Sequence, residues 1–397
     1  MRVEDLYTAA TVLLGPEGES VSDGAVLVAD GVISAVGRRD EVEVGVGRDV
    51  AVHQFGDATI IPGLVDAHVH LVFHGGPNIL DTLYAEDDDT RLAQKMTERA
   101  QELLRSGVTT AQDLGDRNGL ARQVRDSISG GEVLGPRLLT AGAPLTVKEG
   151  HCWFLGGVVE GEREIRDRIR LLAAQGVDAV KIMASGGQLT PGPYAMWDPQ
   201  FTLTELRAAV DEAHGHGLRI AAHAHSAAAI ALAVDAGVDT VEHATWLVEG
   251  PDWDPRPEVA QQMAEQGTVL CHASSNDWRG LATKVGEVWA RQLMGRVVWF
   301  DEHGVTQIAG TDAGVTSFAG TAAALARFTE YGFPPGKAVE IGTVAGAKAL
   351  GLDAVTGSLA PGMAADLLVV EGNVLADLSA VTRPRLVIIN GQHVAPK

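Results

Sequence analysis

The sequence contains only two cysteines, Cys152 and Cys271, among its 397 residues. A disulfide framework is therefore excluded as the basis of the fold, and a reducing compartment is compatible with this chain. No uncharged apolar run approaches the roughly 18–20 residues that a membrane-spanning helix needs. The acidic start of the chain also differs from a secretory signal. These absences predict a cytoplasmic protein with no membrane partner.

Basic residues are scarce as well. The chain has 31 lysines and arginines against 52 aspartates and glutamates, and its net charge is −21 with neutral histidine. Because a field of this sign repels a phosphate backbone, we expect no nucleic acid partner. The patterns of the serine nucleophile elbow, the phosphate-binding loop and the HExxH zinc proteases are also missing. Those three enzyme classes therefore have no support in the sequence.

Both ends of the chain are rich in short strand patterns and have no helical periodicity. Asp-Gly at 30–31 and Asn-Gly at 390–391 each follow an apolar run, as is typical of two-residue hairpin turns. We predict a small β-sandwich domain that is built from residues 1–58 together with residues 357–397.

The middle of the chain alternates between strand-like and helix-like patterns. Thr202 and Glu205, for example, form a capping box before an amphipathic helix, and a strand pattern follows that helix. Residues 59–356 are therefore expected to form a (β/α)8 TIM barrel, with functional groups at the carboxyl ends of its strands. A doubly wound open sheet is the alternative that periodicity leaves open. The expected barrel strands are 59–61, 108–111, 137–140, 179–183, 219–222, 240–243, 268–270 and 306–309.

Polar side chains follow four of these expected strands. Two histidines follow the first strand and two end the fifth, and each pair shares one face because its members are two positions apart. One histidine ends the sixth strand, and an aspartate follows the eighth. Imidazoles and a carboxylate gathered at one end of a barrel can hold a metal ion. These candidate ligands are His68, His70, His223, His225, His243 and Asp312.

Lys181 lies inside an apolar run of the expected fourth strand. Burying an ammonium group is costly, so this lysine needs an explanation. Its amine either reaches water or an acid along its aliphatic stem, or it has reacted with CO2. The resulting carbamate is an anion that can bridge two metal ions.

The segment PGLVDAHVH at 62–70 resembles the first-strand motif of the metal-dependent amidohydrolase superfamily. The segment GSLAPGMAAD at 357–366 resembles the return of that superfamily into its terminal β domain, so the resemblance covers nearly the whole chain. Within the superfamily, the chain most resembles the prolidase-like branch, the metal-dependent Xaa-Pro and Xaa-Arg dipeptidases. The supporting segments are 150–153, 181–187, 223–225 and 241–243.

The resemblance implies a binuclear centre with two divalent metal ions, zinc being the expected metal, bridged by a CO2-derived carbamate. The choice of His223 over His225 as a ligand follows the resemblance, because spacing favours neither. The implied ligands are His68, His70 and Asp312 for one ion, His223 and His243 for the other, and carboxylated Lys181 as the bridge.

The resemblance also implies catalytic and substrate-binding roles. Asp312 would take the proton of the attacking water and pass it to the departing amine. His151, after the third strand, and His225 would lie beside the metals and face the substrate. Trp153 and Tyr194, in loops after the third and fourth strands, are further substrate-binding candidates, with simple packing as their alternative role.

The implied reaction is hydrolysis of the C–N amide bond of a dipeptide or N-acyl amino acid by a metal-bridging hydroxide. Deaminases and imidazolone hydrolases would carry an acid near the fifth-strand histidines, and residues 226–230 contain none. A basic residue that the dipeptidases often have is also absent from residues 229–232. A carbamate, urea, cyclic amide or lactone is therefore an alternative substrate, and a catalytically silent binding or scaffold protein is a further alternative. Barrels of this kind commonly associate, so a homo-oligomer is also considered.

Overall fold

A computed structural model describes residues 4–15, 18–44, 46–47, 50–190, 192–250, 252–273, 282–283 and 286–396. The strands in these ranges are β1 (Glu4–Leu13), β2 (Ser20–Ala29), β3 (Val32–Arg38), β4 (Ala51–Gln54), β5 (Thr59–Pro62), β6 (Leu64–Val69), β7 (Val108–Asp113), β8 (Arg137–Thr140), β9 (Ala179–Met183), β10 (Arg219–Ser226), β11 (Thr240–Leu247), β12 (Val269–Cys271), β13 (Gln307–Ile308), β14 (Leu367–Val370), β15 (Pro384–Ile389) and β16 (Gln392–Val394).

The α-helices in the same ranges are α1 (Arg39–Glu43), α2 (Ile79–Ala85), α3 (Asp89–Arg105), α4 (Leu120–Ser129), α5 (Gly161–Ala174), α6 (Leu203–Gly215), α7 (Ala227–Ala236), α8 (Pro257–Gln266), α9 (Glu287–Glu302), α10 (Thr321–Ala326), α11 (Pro335–Ile341) and α12 (Val344–Ala349). Helix α6 begins with the expected capping box, in which Thr202 accepts from the amide of Glu205 and the Glu205 carboxylate accepts from the amide of Thr202. Over the described residues, no helix has both the length and the apolar character to cross a membrane.

The strands of both chain ends pair into one eight-stranded sheet, in the order β16-β15-β14-β5-β1-β2-β3 with β4 beside β1. Asp30 and Asn390 have φ angles of 52° and 47°, as the predicted hairpin turns require. The sheet is curled, as a contact between distant strands indicates: the Tyr7 hydroxyl on β1 lies 2.7 Å from Nε2 of His393 on β16. All eight strands belong to one hydrogen-bonded sheet. The strand pairing therefore does not show the two separate sheets that the predicted β-sandwich would have.

The other eight strands are parallel and form two arcs, β6-β7-β8 and β9-β10-β11-β12-β13. At one join, the amide of Asp178 donates to the carbonyl of Thr140 at 2.8 Å. At the other, the amide of Asp312 donates to the carbonyl of His68 at 2.9 Å. Because the arcs are joined at both ends, the arrangement is that of the predicted α/β barrel, with regular strand pairing interrupted at the two joins.

The prediction that residues 59–61 form the first barrel strand is wrong. Strand β5 pairs with β1 and β14, so it belongs to the terminal sheet, and the first barrel strand is β6. Ile61 packs in the same apolar cluster as Leu64 and Leu104 of the barrel, which buries β5 as fully as a barrel strand. The other seven expected strands overlap β7 to β13. The division into two domains stays a prediction.

Gly63 connects the terminal sheet to the first barrel strand, and a side chain there has no room. A Cβ atom at this position would lie 2.1 Å from Oγ1 of the buried Thr109. We expect Gly63→Ala to destabilise the protein by about 1–3 kcal/mol, because overpacking forces neighbouring atoms to shift. The urea midpoint measures this change.

Gly215→Ala is the matched control, because a Cβ atom at the last residue of α6 would meet nothing within 4 Å. Its midpoint is expected to equal or exceed that of the original protein. Equal midpoints for the two variants would contradict the steric account of Gly63.

Candidate metal centre

The first ligand group joins the end of β6 to the segment after β13. The Nε2 atoms of His68 and His70 lie 3.2 Å apart. The Oδ1 atom of Asp312 lies 3.6 Å from the first and 3.5 Å from the second. Both imidazoles are buried, whereas the Asp312 side chain is 18% exposed. Three donor atoms thus converge at one buried point, since the Oδ1 atom itself is buried although the aspartate side chain is partly exposed.

The second ligand group joins the ends of β10 and β11. Donor atoms of His223, His225 and His243 all lie within 4.8 Å of one another. The His243 ring centroid lies 4.7 Å from that of His223 and 4.6 Å from that of His225. It also lies 5.2 Å from the His68 ring, so the two groups adjoin. Both fifth-strand histidines lie in the same group as His243. The choice of His223 over His225 as the metal ligand therefore stays a prediction.

Lys181 lies on β9 and is 1% exposed. Its Nζ atom has no hydrogen-bond partner in the described part of the chain. Burial lowers the pKa of this amine, although the carboxylates of Glu242 and Asp312 act in the opposite direction. The same amine interacts electrostatically with both ligand groups. An unpartnered amine in this position fits a carbamate bridge, because conversion would provide the oxygen donors that the lysine lacks.

Burial also controls the protonation of the surrounding groups. It lowers the pKa of His70, His151 and His225 to about 3 in each case. Burial raises the pKa of Asp312 to about 7, against the opposing effect of the Lys181 charge. The imidazoles are therefore neutral at physiological pH, which is the form that binds metal ions.

Glu242 orients one of the ligands and was not predicted from the sequence. Its Oε2 atom lies 2.6 Å from Nδ1 of His68, and its Oε1 atom accepts from the hydroxyl of Thr240 at 2.9 Å. A carboxylate on the outer ring nitrogen fixes the tautomer of a metal-binding histidine and strengthens it as a donor. The signal in the sequence was an acidic residue inside an apolar strand, the same feature that singled out Lys181.

Asp66 fixes the loop that carries Asp312. One of its carboxylate oxygens accepts from the hydroxyls of Thr311 at 2.6 Å and Thr321 at 2.7 Å. The other accepts from the amides of Thr311 at 3.1 Å and His68 at 3.3 Å. This buried carboxylate therefore holds the two parts of the first ligand group together. Its place two positions before His68, on the same face of the strand, was the available signal.

Arg296 supports the second ligand group from α9. It is 2% exposed and donates to the carbonyls of His243 at 3.1 Å and His272 at 3.2 Å. Burial lowers the pKa of this guanidinium to about 10. His243 and Ala244 have positive φ angles of 70° and 43°, so the hydrogen bond holds an unfavourable backbone conformation inside β11, where the regular pairing with β10 is interrupted. No pattern distinguished this helical arginine from an exposed one.

The predicted substrate-binding residues differ in their positions. The His151 ring is buried 4.5 Å from that of His223, and its Nδ1 atom has no partner among the described residues. Nδ1 of His225 lies 2.9 Å from the Thr245 hydroxyl. Trp153 is 44% exposed. Tyr194 is half-buried, and within the described ranges no hydrogen bond or ring contact connects its side chain to the ligands.

A parallel α/β barrel that gathers two adjoining groups of candidate metal ligands, one of three histidines and one of two histidines and an aspartate, is the arrangement expected of a metal-dependent hydrolase. The chain belongs to the amidohydrolase family, whose model matches residues 59–394. It is thus an enzyme of the class that hydrolyses carbon–nitrogen bonds, with the prolidase-like resemblance that the sequence showed.

Similar proteins support this assignment. The chain is 27% identical to ochratoxinase from Aspergillus niger, across 95% of this chain and 83% of that protein. It is 26% identical to imidazolonepropionase from Symbiobacterium thermophilum, across 91% of this chain and 88% of that protein. A crystal structure of a Xaa-Pro dipeptidase with methionine bound in its active site matches 98% of this chain and 99% of that one, with a TM-score of 0.86 and 27% identity.

We predict that Glu242→Gln weakens metal binding by about 10–100-fold, because the amide no longer provides a carboxylate for His68. Competition with a chelator of known affinity measures the change. Glu205→Gln is the control, since Glu205 caps α6 and has no contact with the ligands. Unaltered metal affinity in the Glu242 variant would exclude an orienting role for this carboxylate.

Proposed function

We propose that the protein hydrolyses the C–N amide bond of a small substrate, a dipeptide or an N-acyl amino acid, with two divalent metal ions in the barrel. The observation that carries this proposal is the buried amine of Lys181, which has no hydrogen-bond partner among the described residues and interacts electrostatically with both ligand groups. The similarity to a Xaa-Pro dipeptidase supports the substrate class.

The ligand set suits zinc, which takes imidazole and carboxylate donors. When bound, the two ions would activate a water molecule as the nucleophile near neutral pH, in keeping with the expected bridging hydroxide, and would polarise the scissile carbonyl. The proposed ligands are His68, His70 and Asp312 for one ion, His223 and His243 for the other, and carboxylated Lys181 for both.

Proton transfer is assigned to Asp312. Its Oδ1 atom is without a hydrogen-bond partner among the described residues, and the side chain keeps some contact with solvent. A carboxylate beside the attacking water can take its proton and give it to the departing amine.

The histidines beside the ligands contact the substrate in this proposal. Nδ1 of His151, without a hydrogen-bond partner in the described ranges, can donate to the carbonyl oxygen as negative charge develops on it. His225, whose Nδ1 contacts the Thr245 hydroxyl, has its ring 4.7 Å from that of His223. Trp153 offers an exposed ring for an apolar substrate group, and Tyr194 contacts the substrate from the loop after β9.

A carbamate, urea, cyclic amide or lactone is the second candidate substrate. Residues 229–232 contain no basic side chain, and Ala229 and Ile230 are buried on α7, so this segment offers no partner for a peptide carboxylate. The same ligands would serve either substrate class, because the loops select the substrate. A catalytically silent role is disfavoured, since the ligand residues converge as they would in an active centre.

A substrate panel tests the proposal. Zinc-loaded protein is assayed on Xaa-Pro and Xaa-Arg dipeptides, N-acyl amino acids, carbamates, ureas and lactones. We expect turnover of at least one dipeptide or N-acyl amino acid, together with about two equivalents of zinc per chain by elemental analysis. Turnover confined to the carbamates, ureas or lactones would favour the second candidate, and an absence of both metal and turnover would favour the silent role.

Removal of the proposed bridge gives a separate prediction. Lys181→Ala should reduce the bound metal and lower kcat/KM by more than about 100-fold, because no donor then joins the two ligand groups. A short carboxylic acid in the assay should partly restore both, since it can occupy the place of the carbamate. Lys348→Ala, at an exposed lysine, is the control. Full activity of the Lys181 variant would refute the bridge.

A further inference from the structure

A second group of potential metal ligands lies on the curled terminal sheet. Asp5 on β1 and His53 on β4 come from the beginning of the chain, and His393 on β16 comes from its end. One donor atom from each of the three side chains lies within 4.8 Å of the other two. Their convergence depends on the curl of the sheet, because three strands separate β16 from β1 in the strand order.

The contacts within this group are specific. Nε2 of His53 lies 2.7 Å from Oδ1 of Asp5. The rings of His53 and His393 meet edge to face, with their centroids 4.8 Å apart. Tyr7 stacks on His53 with a centroid separation of 4.9 Å, and its hydroxyl lies 2.7 Å from Nε2 of His393. One tyrosine therefore orients both imidazoles.

Tyr7 is buried, whereas the three candidate ligands are partly or fully exposed to solvent. Tyr7 is fully buried beneath the group, so the support of the two rings is rigid. The side chains of Asp5 and His53 are 17% and 29% exposed, and His393 is exposed. An ion in solvent can therefore reach donors that are already held in place from the buried side.

We propose that Asp5, His53 and His393 bind one divalent transition metal ion of the zinc class, separate from the metal centre of the barrel. Two imidazoles and one carboxylate are a common donor set for such ions. Donor atoms of a tetrahedral zinc site are about 3.3 Å apart, so the observed separations need only small side-chain rotations. Water would complete the coordination. The site would then be a structural metal site with one water ligand.

The ion would join the two ends of the chain. Tyr7 and His393 are 386 positions apart in the sequence, yet their contact and the proposed site lie together on one sheet. Because the donors converge only when the sheet is assembled, the ion would bind the folded chain in preference to the unfolded chain. Zinc would therefore stabilise the attachment of β16.

Equilibrium dialysis of the full-length protein against a series of buffered free zinc concentrations tests this site, with elemental analysis of metal per chain. We expect His53→Ala and His393→Gln to hold one equivalent less than the original protein at saturation. The glutamine can still bond to the Tyr7 hydroxyl but is a poor zinc ligand, so it separates metal binding from loss of the hydrogen bond. Hydrolytic activity should be unchanged in both variants, because neither residue belongs to the barrel centre.

His214→Ala is the matched control, since His214 is an exposed histidine whose Nε2 lies 2.9 Å from Oδ2 of Asp239, without a second imidazole in the group. It should hold as much zinc as the original protein. Equal zinc content in the original protein, the His53 variant and the His393 variant would overturn the proposal and leave this group as a hydrogen-bonded contact between the chain ends.

Discussion

A buried lysine amine without a hydrogen-bond partner is the constraint on which the barrel mouth depends. Removing an ammonium group from water is expensive, and the described structure offers Lys181 no direct acceptor in return. The neighbouring imidazoles are kept neutral by the same burial. The neutral imidazoles offer free electron pairs, and conversion of the amine to a carbamate would add anionic oxygens, so the group would then suit divalent ions.

The ligands keep their places because less obvious residues hold the backbone around them. Asp66 holds the Asp312 loop against β6, and Glu242 orients the His68 ring. Arg296 joins the middle of β11 to the residue after β12 while His243 is in a left-handed conformation. These supports are buried, so each hydrogen bond acts without competition from solvent. The geometry of the candidate metal centre therefore depends on these supporting residues as well as on the ligand residues.

Much of this arrangement was predictable from the sequence, because strand and helix periodicity locates strand ends and strand ends carry the ligands. The first barrel strand was misplaced for a physical reason: β5 is buried on both faces and has the apolar run of a barrel strand, yet it pairs with β1 and β14. His223 and His225 share a face, so no spacing distinguishes them. The role of Arg296 depends on which backbone carbonyls of two neighbouring strands point toward α9, information that side-chain patterns do not contain.

The terminal sheet has a consequence for synthesis of the chain. Strand β5 pairs with β1 on one side and with β14 on the other, and β14 lies more than 300 residues later. During translation, β1 to β5 leave the ribosome with one apolar edge unpaired until the last segment emerges. Such an edge attracts strands of other chains. The nascent protein is thus most vulnerable to aggregation while its barrel is being made, and loss of the final strands would make that exposure permanent.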